Sequence, residues 1–512
     1  MDIGGIGEWL VKNVELRAGK TALIFRDVRY TYQELNERVN RIVFVLMTRG
    51  VRSGDRVAAI LYNSPEFLEV LFACAKIGAI FVPINYRLSS EEAKYIINDA
   101  GCHVVIYHSS FASMIAPIRQ STELLHGICL HFDEEGECLE TDEDYAQIMS
   151  DAQSREIGAY IRQSDIHLMM YTSGTTGNPK GVLLSHGNTI WNAINLMLHE
   201  FAIKSDDIVL TVAPMFHIGG LGLHTLPCLY KGSTVVLAPK FEPSSVLSLI
   251  ERERVSALFL VPSMWFALMQ TPNFDKYNLS SLKTLLSGGA PCPIQVIEFF
   301  QARGFQFIEG FGMTETAPIA MILSSEDAVR KHGSVGKPVT HVKVRVIDEM
   351  ERDVPIGTVG ELVLQGPNIY CGYWNNAKAT EKSFVGGWFH TGDLIKSDEE
   401  GFYYLVDRKK DMLISGGENV YPIEIEQVLH RHPSILEVAV VGLKDEKWGE
   451  IALAVVVPRN PTEQLGIREV EEFCQDKLAK FKIPKRIEIL SELPRNATGK
   501  VLKRVLRERY SK

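Results

Sequence analysis

Residues 171–181, YTSGTTGNPKG, bring together several groups that could hold a phosphate. The glycines permit left-handed backbone conformations, so several amide N–H groups could face one anion. Lys180 adds a point charge that suits phosphate. The spacing differs from that of the common nucleotide-binding loop, Gly-x4-Gly-Lys-Ser/Thr, because Pro179 precedes the lysine and Gly181 follows it. The segment therefore predicts a phosphate-binding loop of another kind, built with Thr172, Ser173, Gly174, Thr175, Thr176 and Gly177.

Four other segments carry charges, hydroxyls or glycines in compact motifs. They are GFGMTET (310–316), HTGDL (390–394), DRKKDMLISGGENVYPIEIE (407–426) and LPRNATGK (493–500). The last motif ends in Lys500 and lies in a basic tail, residues 477–512, which holds twelve Lys and Arg against three Glu. The whole chain has a net charge of −9, so this tail is a basic end on an acidic body. The asymmetry predicts either an anion-binding surface or a solvated cationic helix end.

The chain must form more than one compact lobe, because 512 residues exceed what one hydrophobic core usually serves. We place the boundary at 406–408, with an N-terminal domain over 1–406 and a C-terminal domain over 407–512. No basic region followed by an apolar run opens the sequence, so no signal peptide is predicted. The eight cysteines are scattered without a CxxC pair, which argues against a zinc site and a disulfide framework and favours a reducing cytoplasm.

Apolar strands alternate with single helices over the first 340 residues, which predicts βαβ units and buried parallel sheets. One of these helices should begin after Thr31, a good N-terminal capping residue. Beyond Val342 the strands VKVRVID, GELVLQG and GFYYLVD are separated by tight turns and predict an antiparallel β subdomain. The remaining chain predicts a small α+β lobe with helices over 422–432 and 468–478. The fold class is therefore α/β, a large N-terminal lobe followed by a small α+β lobe.

Taken together, the five motifs resemble the adenylate-forming superfamily of acyl-CoA synthetases, peptide-synthetase adenylation domains and luciferases. The resemblance extends over essentially the whole chain, and the motifs occur in the family's order. It implies a large lobe followed by a small mobile lid. It also implies a two-step reaction, in which ATP converts a carboxylic acid to an acyl-adenylate and coenzyme A then accepts the acyl group. AMP and pyrophosphate are the by-products, and Mg²⁺ is the implied cofactor.

The resemblance also assigns nucleotide-binding roles to residues of these motifs. It places Phe311 against adenine, Thr314 near the phosphates and Glu315 on Mg²⁺, which accepts few carboxylates. Many relatives carry Tyr at the position of Phe311. Thr314, Glu315, Lys180 and Lys500 form the implied catalytic set, since lysines can neutralise charge on the reacting phosphate. The full implied ATP and AMP site is Thr172, Ser173, Gly174, Thr175, Thr176, Gly177, Lys180, Gly289, Ala290, Pro291, Gly310, Phe311, Gly312, Met313, Thr314, Asp393, Arg408 and Lys500.

Three further roles follow from the resemblance for residues of the second half of the chain. Asp393 should accept the ribose hydroxyls, with Arg408 on the same ribose or on the α-phosphate. Asp407 matches the hinge about which the small lobe turns. Gly416, Gly417 and Glu418 should then line the channel for the pantetheine arm of coenzyme A.

The acid substrate is less defined by the motifs. The implied acyl pocket contains His217, Gly220, Gly288 and Gly312, and the glycines near His217 are expected to leave space. His217 stands where amino-acid-activating relatives carry an aspartate, and a buried ammonium without a counter-ion is costly, so amino acids are disfavoured. A medium- or long-chain fatty acid is our first prediction, a coumarate- or benzoate-type aromatic acid the second, and o-succinylbenzoate the third. A luciferase-like oxygenase is the alternative from a different class.

The predicted partners are accordingly a small carboxylic acid, ATP and free coenzyme A, and no nucleic acid is expected. The basic tail is a candidate for peripheral contact with an anionic membrane surface. A homodimer is a candidate assembly.

Overall fold

The computed structural model describes residues 4–131, 136–157, 159–172, 179–199, 202–415, 418–460, 465–495 and 501–511. The chain forms two compact units. We call Met1–Lys343 with Leu364–Phe389 the large unit, and Val344–Val363 with His390–Lys512 the small unit. The boundary predicted at 406–408 separates the large lobe from a small mobile lobe. This boundary stays a prediction.

The strands of both units are numbered in chain order. They are β1 (Thr21–Phe25), β2 (Val28–Thr31), β3 (Arg56–Ile60), β4 (Ile80–Pro83), β5 (Val104–His108), β6 (His126–Leu130), β7 (Glu143–Asp144), β8 (Ile166–Thr172), β9 (Lys180–Ser185), β10 (Ile208–Thr211), β11 (Thr234–Leu237), β12 (Ala257–Leu260), β13 (Thr284–Gly288), β14 (Gln306–Gly312), β15 (Ile319–Leu323), β16 (Ser334–Pro338), β17 (Lys343–Ile347), β18 (Gly360–Gln365), β19 (Gly372–Tyr373), β20 (Phe384–Val385), β21 (Trp388–Ser397), β22 (Tyr403–Arg408), β23 (Leu413–Ser415), β24 (Glu418–Val420), β25 (Ile435–Asp445), β26 (Gly449–Pro458) and β27 (Arg486–Ile489).

The α-helices follow the same order. They are α1 (Glu8–Arg17), α2 (Tyr32–Thr48), α3 (Pro65–Ile77), α4 (Ser90–Ala100), α5 (Ala112–Arg119), α6 (Tyr145–Asp151), α7 (His186–Met197), α8 (Ile218–Gly220), α9 (Leu226–Lys231), α10 (Pro243–Glu253), α11 (Pro262–Met269), α12 (Ile294–Gln301), α13 (Ala377–Ser383), α14 (Pro422–Leu429), α15 (Ile467–Cys474) and α16 (Lys503–Tyr510). Among the described residues, no helix is long and apolar enough to span a bilayer.

Two sheets form the large unit. In the first, the strand order is β19-β9-β8-β4-β3-β5-β6-β7, and the pairing is parallel from β8 to β7. In the second, the order is β16-β15-β14-β13-β12-β10-β11-β1-β2, with parallel pairing from β14 to β1. Strands such as β4 and β12 are buried along their whole length, because helices pack on the sheets. The predicted parallel α/β architecture is confirmed.

Local sequence signals set several helix boundaries as predicted. Helix α2 begins after Thr31, whose hydroxyl accepts a hydrogen bond from the Glu34 amide over 3.1 Å. The Glu34 carboxylate in turn accepts from the Thr31 amide over 2.7 Å. This reciprocal pair satisfies two amides that the first helical turn leaves without partners.

The small unit contains antiparallel and α+β parts, as predicted. Strands β17, β18, β21 and β22 are neighbours in that order, and β21 pairs antiparallel with β22. A second sheet has the order β24-β23-β26-β25, with β27 parallel to β26. Helices α14 and α15 are shorter than the predicted 422–432 and 468–478, because the chain leaves each helix through turns.

One disulfide bond contradicts the expectation that the cysteines remain unpaired. Cys129, in β6, is bonded to Cys138. Gly136 has a φ of +84°, and a Cβ atom there would lie 2.7 Å from the Ser109 carbonyl oxygen. The chain therefore returns closely over Ser109 after β6, and this brings Cys138 back to Cys129. A spacing of nine residues gave no signal of such a return in the sequence.

Candidate active site

The carboxyl ends of four neighbouring parallel strands lie at one edge of the second sheet. These strands are β10, β12, β13 and β14, adjacent in the order β14-β13-β12-β10. Ligands in α/β folds bind at such edges, because the loops that follow the strands converge there. The structure thus brings together several predicted adenine and acyl residues, which are His217, Gly288, Gly289, Ala290, Pro291, Gly310, Phe311, Gly312 and Met313.

Close backbone packing explains the predicted pocket glycines better than free space does. A Cβ atom on Gly220 would lie 2.3 Å from the Pro214 carbonyl oxygen. On Gly288 it would lie 2.8 Å from the Gly310 carbonyl oxygen, and on Gly312 1.8 Å from that of Pro318. The expectation that Gly220 leaves space for the acid is therefore wrong, because the backbone carbonyl of Pro214 fills that space. Membership of these glycines in the acyl pocket stays a prediction.

Phe259 is a pocket candidate that the sequence analysis missed. A Cβ atom on Gly219 would lie 3.2 Å from Cε1 of the Phe259 ring, and one on Gly288 would lie 3.5 Å from Cε2. The ring therefore lies between two glycine backbones at the carboxyl edge, and only 7% of Phe259 is exposed. The apolar run ALFLVP predicted a strand but gave no sign of which side chain faces the edge.

His217 lies beyond the end of β10, beside the aromatic ring of Phe216. Its ring is 4.5 Å from that of Phe216, which in turn lies 5.1 Å from Tyr86. Burial lowers the pKa of His217 to about 4, and the charge of Arg87 contributes to this shift. Within the part of the chain that the structure describes, Nε2 of His217 has no hydrogen-bond partner. A neutral imidazole with a free nitrogen is thus available at this edge at neutral pH.

The predicted phosphate loop connects two strands that are described on either side of it. Strands β8 and β9 pair antiparallel, and Thr172 is the register partner of Lys180. The segment between them holds Ser173, Gly174, Thr175, Thr176 and Gly177, which lie outside the described residues. Helix α7 follows β9, and Ser185 caps it through a hydrogen bond from the Asn188 amide.

Tyr373 joins two predicted catalytic residues that are distant in sequence. Its hydroxyl donates a hydrogen bond of 2.9 Å to Oε1 of Glu315. The Nζ of Lys180 lies 5.1 Å from the centre of the same ring, within the range of a cation–π interaction. Burial and the charge of Glu315 both raise the pKa of Tyr373, so the hydroxyl stays protonated and donates. Strand β19 positions Tyr373 by pairing with β9, where Val182 is its partner.

The turn that carries Thr314 and Glu315 is held from several sides. Residues Thr314–Thr316 form a 3₁₀ turn, and Asn368 Nδ2 donates to the Thr316 carbonyl oxygen over 2.7 Å. The Tyr370 amide donates to the Glu315 carbonyl oxygen over 2.9 Å. Tyr373 occupies Oε1 of Glu315, which leaves the second carboxylate oxygen for another ligand. A single carboxylate oxygen suits Mg²⁺, which keeps several waters and phosphate oxygens in its shell.

In the small unit, the predicted ribose-binding residues form an ion pair. Asp393 and Arg408 are register partners in β21 and β22, and Nε of Arg408 lies 2.5 Å from Oδ1 of Asp393. Asp393 is fully buried, and Arg408 is half-buried. The pairing fixes the direction of both groups, as a ligand-binding carboxylate requires. Their contact with ribose stays a prediction.

Asp407, the predicted hinge, joins β22 to the start of α14. One carboxylate oxygen accepts from the Arg408 amide over 2.7 Å, and the other accepts from the Ile423 amide over 2.9 Å. Ile423 is the second residue of α14, so Asp407 satisfies one of the amides left without partners in the first turn of that helix. Burial raises the pKa of Asp407, although the charge of Lys503 opposes this effect. The hinge role itself stays a prediction.

A groove in the small unit includes Ile414 of β23, and β23 pairs with β24, which begins at Glu418 of the predicted coenzyme A segment. Glu418 is exposed and begins β24, which pairs with β23, while Gly416 and Gly417 lie outside the described residues, as does Lys500. The groove has a volume of about 670 Å³ and is lined by Ile414, Lys444, Asp445, Glu446, Trp448, Gly449 and Glu450. Several basic residues of the tail pair with acids of the same unit, as in Arg486–Glu488, Arg495–Glu437, Lys503–Glu426 and Arg504–Glu508.

The chain is similar to known proteins over nearly its whole length. A family model described as "AMP-binding enzyme" matches residues 10–374, and one described as "AMP-binding enzyme C-terminal domain" matches residues 424–500. A feruloyl-CoA synthase of Amycolatopsis sp is 40% identical over 506 residues, with 99% of each chain covered. The long-chain-fatty-acid–CoA ligase FadD13 of Mycobacterium tuberculosis is 38% identical over 487 residues, 95% of this chain and 94% of that one.

A solved structure extends the similarity to the fold. The o-succinylbenzoate-CoA synthetase MenE of Bacillus subtilis, in complex with its acyl-adenylate intermediate, has a TM-score of 0.87 and is 33% identical, with 99% of this chain and 98% of that one covered. The same synthetase has been solved in complex with ATP and magnesium ion. The resemblance inferred from the five motifs is thereby confirmed. The chain belongs to the AMP-binding enzyme family, and it is an ATP-dependent acyl-CoA synthetase.

Proposed function

We propose that the acid substrate is a compact apolar acid with an aromatic ring, activated with ATP and transferred to coenzyme A. The observation that carries this proposal is the position of the Phe259 ring between Gly219 and Gly288. An aromatic side chain fixed at this edge by two glycine backbones suits a planar substrate, because aromatic rings gain from offset or edge-to-face contact. A ring at this place would also limit the length of an acyl chain.

The atoms that surround this edge are mostly apolar. Besides Phe259, the side chains nearest to the edge glycines include Ile218, Leu223, Leu286 and Ile319. His217 is neutral or positively charged in either protonation state, so it supplies no anionic counter-ion for an ammonium group. A buried ammonium without an anionic partner is costly, which disfavours amino acids. The relatives that act on feruloyl and o-succinylbenzoyl groups, by their names, handle aromatic acids.

A medium- or long-chain fatty acid is the second candidate. The apolar lining favours it as well, and FadD13 is named for long-chain fatty acids. Such a chain would have to pass the Phe259 ring. The candidates therefore differ in the effect of F259A on the preferred acid: kcat/KM should fall for an aromatic substrate and rise for a long-chain fatty acid.

In the first step, a carboxylate oxygen of the acid attacks the α-phosphorus of ATP, and pyrophosphate leaves. Lys180 and Lys500 would offset the negative charge that spreads over the phosphoryl oxygens. Glu315, oriented by Tyr373, would hold Mg²⁺, which neutralises phosphate charge when bound. His217, with its free Nε2, could donate to or accept from the acid at neutral charge.

In the second step, the thiol of coenzyme A attacks the acyl carbonyl carbon, and AMP leaves with the oxygen that joined it to the acyl group. The small lobe would turn about Asp407 between the two steps, which withdraws Lys500. Residues Gly416, Gly417 and Glu418 would then line the pantetheine channel. The groove at Trp448 is a suitable place for an aromatic part of the acceptor, because an exposed ring offers a stacking surface.

The test is a panel of acids assayed by AMP release with the wild-type chain, F259A and F299A. Ferulate, indoleacetate, decanoate and palmitate would be supplied with ATP, Mg²⁺ and coenzyme A. We expect kcat/KM for the aromatic acids to exceed that for palmitate by about tenfold or more, and F259A to reduce this ratio. F299A, a ring on α12 that packs against Phe274, should leave the ratio unchanged. Preference for palmitate in the wild-type chain would overturn the aromatic acid in favour of the fatty acid.

A further inference from the structure

Three metal-ligating side chains meet at the end of β6, outside the site described above. They belong to Cys129, His131 and Cys138, whose ligand atoms all lie within 4.8 Å of one another. Nε2 of His131 is 3.3 Å from Sγ of Cys138. The same nitrogen lies 3.3 Å from Oδ2 of Asp144, so this carboxylate, which is next to the histidine, is the candidate for a fourth ligand.

The backbone holds these four residues in place through three separate features. Cys129 and His131 are two residues apart along an extended chain, so their side chains share one face. Cys129 is the register partner of Asp144 in the parallel pair β6–β7. Asp144 also caps α6, because its Oδ1 accepts from the Gln147 amide over 2.8 Å. One carboxylate oxygen is thereby fixed on the helix, and the other is directed towards His131.

We propose that Cys129, His131, Cys138 and Asp144 form a zinc site when the two cysteines are reduced. Two thiolates, an imidazole and a carboxylate are a donor set that suits Zn²⁺ in tetrahedral coordination. The disulfide bond and the metal site exclude each other, since both use the same two sulfur atoms. A dithiol reductant would supply the two electrons and two protons that open the S–S bond. Zn²⁺ would then replace the two thiol protons.

The backbone distance is compatible with both states. The Cα atoms of Cys129 and Cys138 lie 5.8 Å apart. Zinc–sulfur bonds of about 2.3 Å at a tetrahedral angle place two sulfurs about 3.8 Å apart. Rotation about the Cα–Cβ bonds can open the sulfurs to that distance without moving the backbone. Cys129 is buried, whereas Cys138 is half-buried and His131 exposed, so an ion can reach the site from solvent.

The metal ion would attach the segment between β6 and α6 to the first sheet. Asp142, which follows Cys138, accepts a hydrogen bond of 2.8 Å from the Tyr107 hydroxyl in β5 and lies 3.0 Å from Arg119. A cation at Cys138 would add a second attachment, between the end of β6 and the start of α6. Its role would be structural, so its binding can be measured without reference to adenylation.

The experiment uses the full chain, reduced with a phosphine and freed of metal by a chelator that is then removed. Cobalt(II) serves as the probe, because its thiolate complexes absorb in the near-ultraviolet and visible regions, and zinc(II) is then added in competition. We expect one equivalent of cobalt–thiolate absorption per chain in the wild type, displaced by zinc. C138S and H131A should lose this stoichiometric binding, and D144N should weaken it by about tenfold.

The control is C371S, which removes a free cysteine outside the cluster and should bind cobalt as the wild type does. Circular dichroism on each variant checks that it is folded. A reduced wild-type chain without cobalt–thiolate absorption would overturn the proposal. Absorption that persists in both C138S and H131A, or that disappears in C371S, would also overturn it, because the ligands would then lie elsewhere.

Discussion

The hydroxyl of Tyr373 donates a 2.9 Å hydrogen bond to Oε1 of Glu315, while the ring of Tyr373 lies under the ammonium of Lys180. The two charged residues belong to different motifs, and neither motif contains Tyr373. The tyrosine thus holds one anionic and one cationic group in a fixed relation, and we propose that this positions both for a magnesium–phosphate ligand. We regard Tyr373 as a positioning residue for this pair.

Substitution Y373F tests this role, because it keeps the ring below Lys180 and removes only the bond to Glu315. A hydrogen bond to a charged group contributes about 1.5–3 kcal/mol, so we expect adenylation to fall by about tenfold or more. The Mg²⁺ concentration needed for half-maximal rate should rise at the same time. ATP–pyrophosphate exchange at varied Mg²⁺ measures both quantities.

The matched control is Y404F, which removes a hydroxyl that donates to a carboxylate oxygen of Asp398 over 3.1 Å, a bond of the same type between residues outside the five motifs. Y404F should leave the Mg²⁺ dependence unchanged. If Y373F shows the wild-type rate and the wild-type Mg²⁺ dependence, the positioning role is refuted.

Neighbouring glycines should respond differently to alanine. G220A places a methyl group 2.3 Å from a backbone carbonyl oxygen, so the chain must shift and the variant should lose stability. G219A instead meets the edge of the Phe259 ring at 3.2 Å, so it should mainly alter the preference among acids. Thermal unfolding and the acid panel distinguish the two effects. G19A, where no atom lies within 4 Å, is the control, and a wild-type Tm for G220A would contradict the packing argument.

Short-range features of this chain followed from the sequence, whereas long-range pairings did not. The capping box at Thr31 and the parallel sheets depend on residue types a few positions apart or on repeated apolar runs. The contact of Tyr373 with Glu315 depends on the pairing of β19 with β9, two strands that lie far apart in the chain. The Phe259 ring and the Cys129–Cys138 bond were missed for a similar reason, since chain reversals and sheet order decide them.

A substitution of Lys500 is expected to affect the two half-reactions differently. K500A should reduce acyl-adenylate formation by about 100-fold or more, because one cation is lost from a developing phosphate charge. Transfer from a pre-formed acyl-adenylate to coenzyme A should stay within a few-fold of the wild-type rate. R504A removes a charge of the same tail that pairs with Glu508, and both half-reactions should survive it. Equal loss of both half-reactions in K500A would contradict the two-step assignment.

Buried His224 should make the stability of the chain depend on pH. Burial lowers its pKa to about 4, whereas the unfolded chain has the ordinary value of 6.5. Between pH 6.5 and 4 the unfolded state therefore binds a proton that the folded state does not, and the free energy of unfolding falls as pH falls. Relative to H224Q, the wild-type chain should lose about 1.4 kcal/mol per pH unit within that window.

The comparison with H224Q removes the effect of other groups. Glu66 and Glu309 have pKa values raised by burial to about 7, so they act in the opposite direction in both chains and cancel in the difference. Urea unfolding at about pH 7, 6 and 5 gives the difference directly. H103Q, a substitution of an exposed histidine, should show the same pH dependence of the free energy of unfolding as the wild type. If the difference in this free energy between wild type and H224Q does not change with pH, the burial argument is refuted.

The carboxylate of the acid is expected to attack the α-phosphorus of ATP, and this attack would leave one oxygen of the acid on the nucleotide. An acid labelled with ¹⁸O in both carboxylate oxygens is incubated once with ATP, Mg²⁺ and coenzyme A, and the nucleotide product is analysed by mass spectrometry. We expect AMP that carries one labelled oxygen, formed in equal amount with acyl-CoA. ADP as the product, or AMP without label, would contradict it.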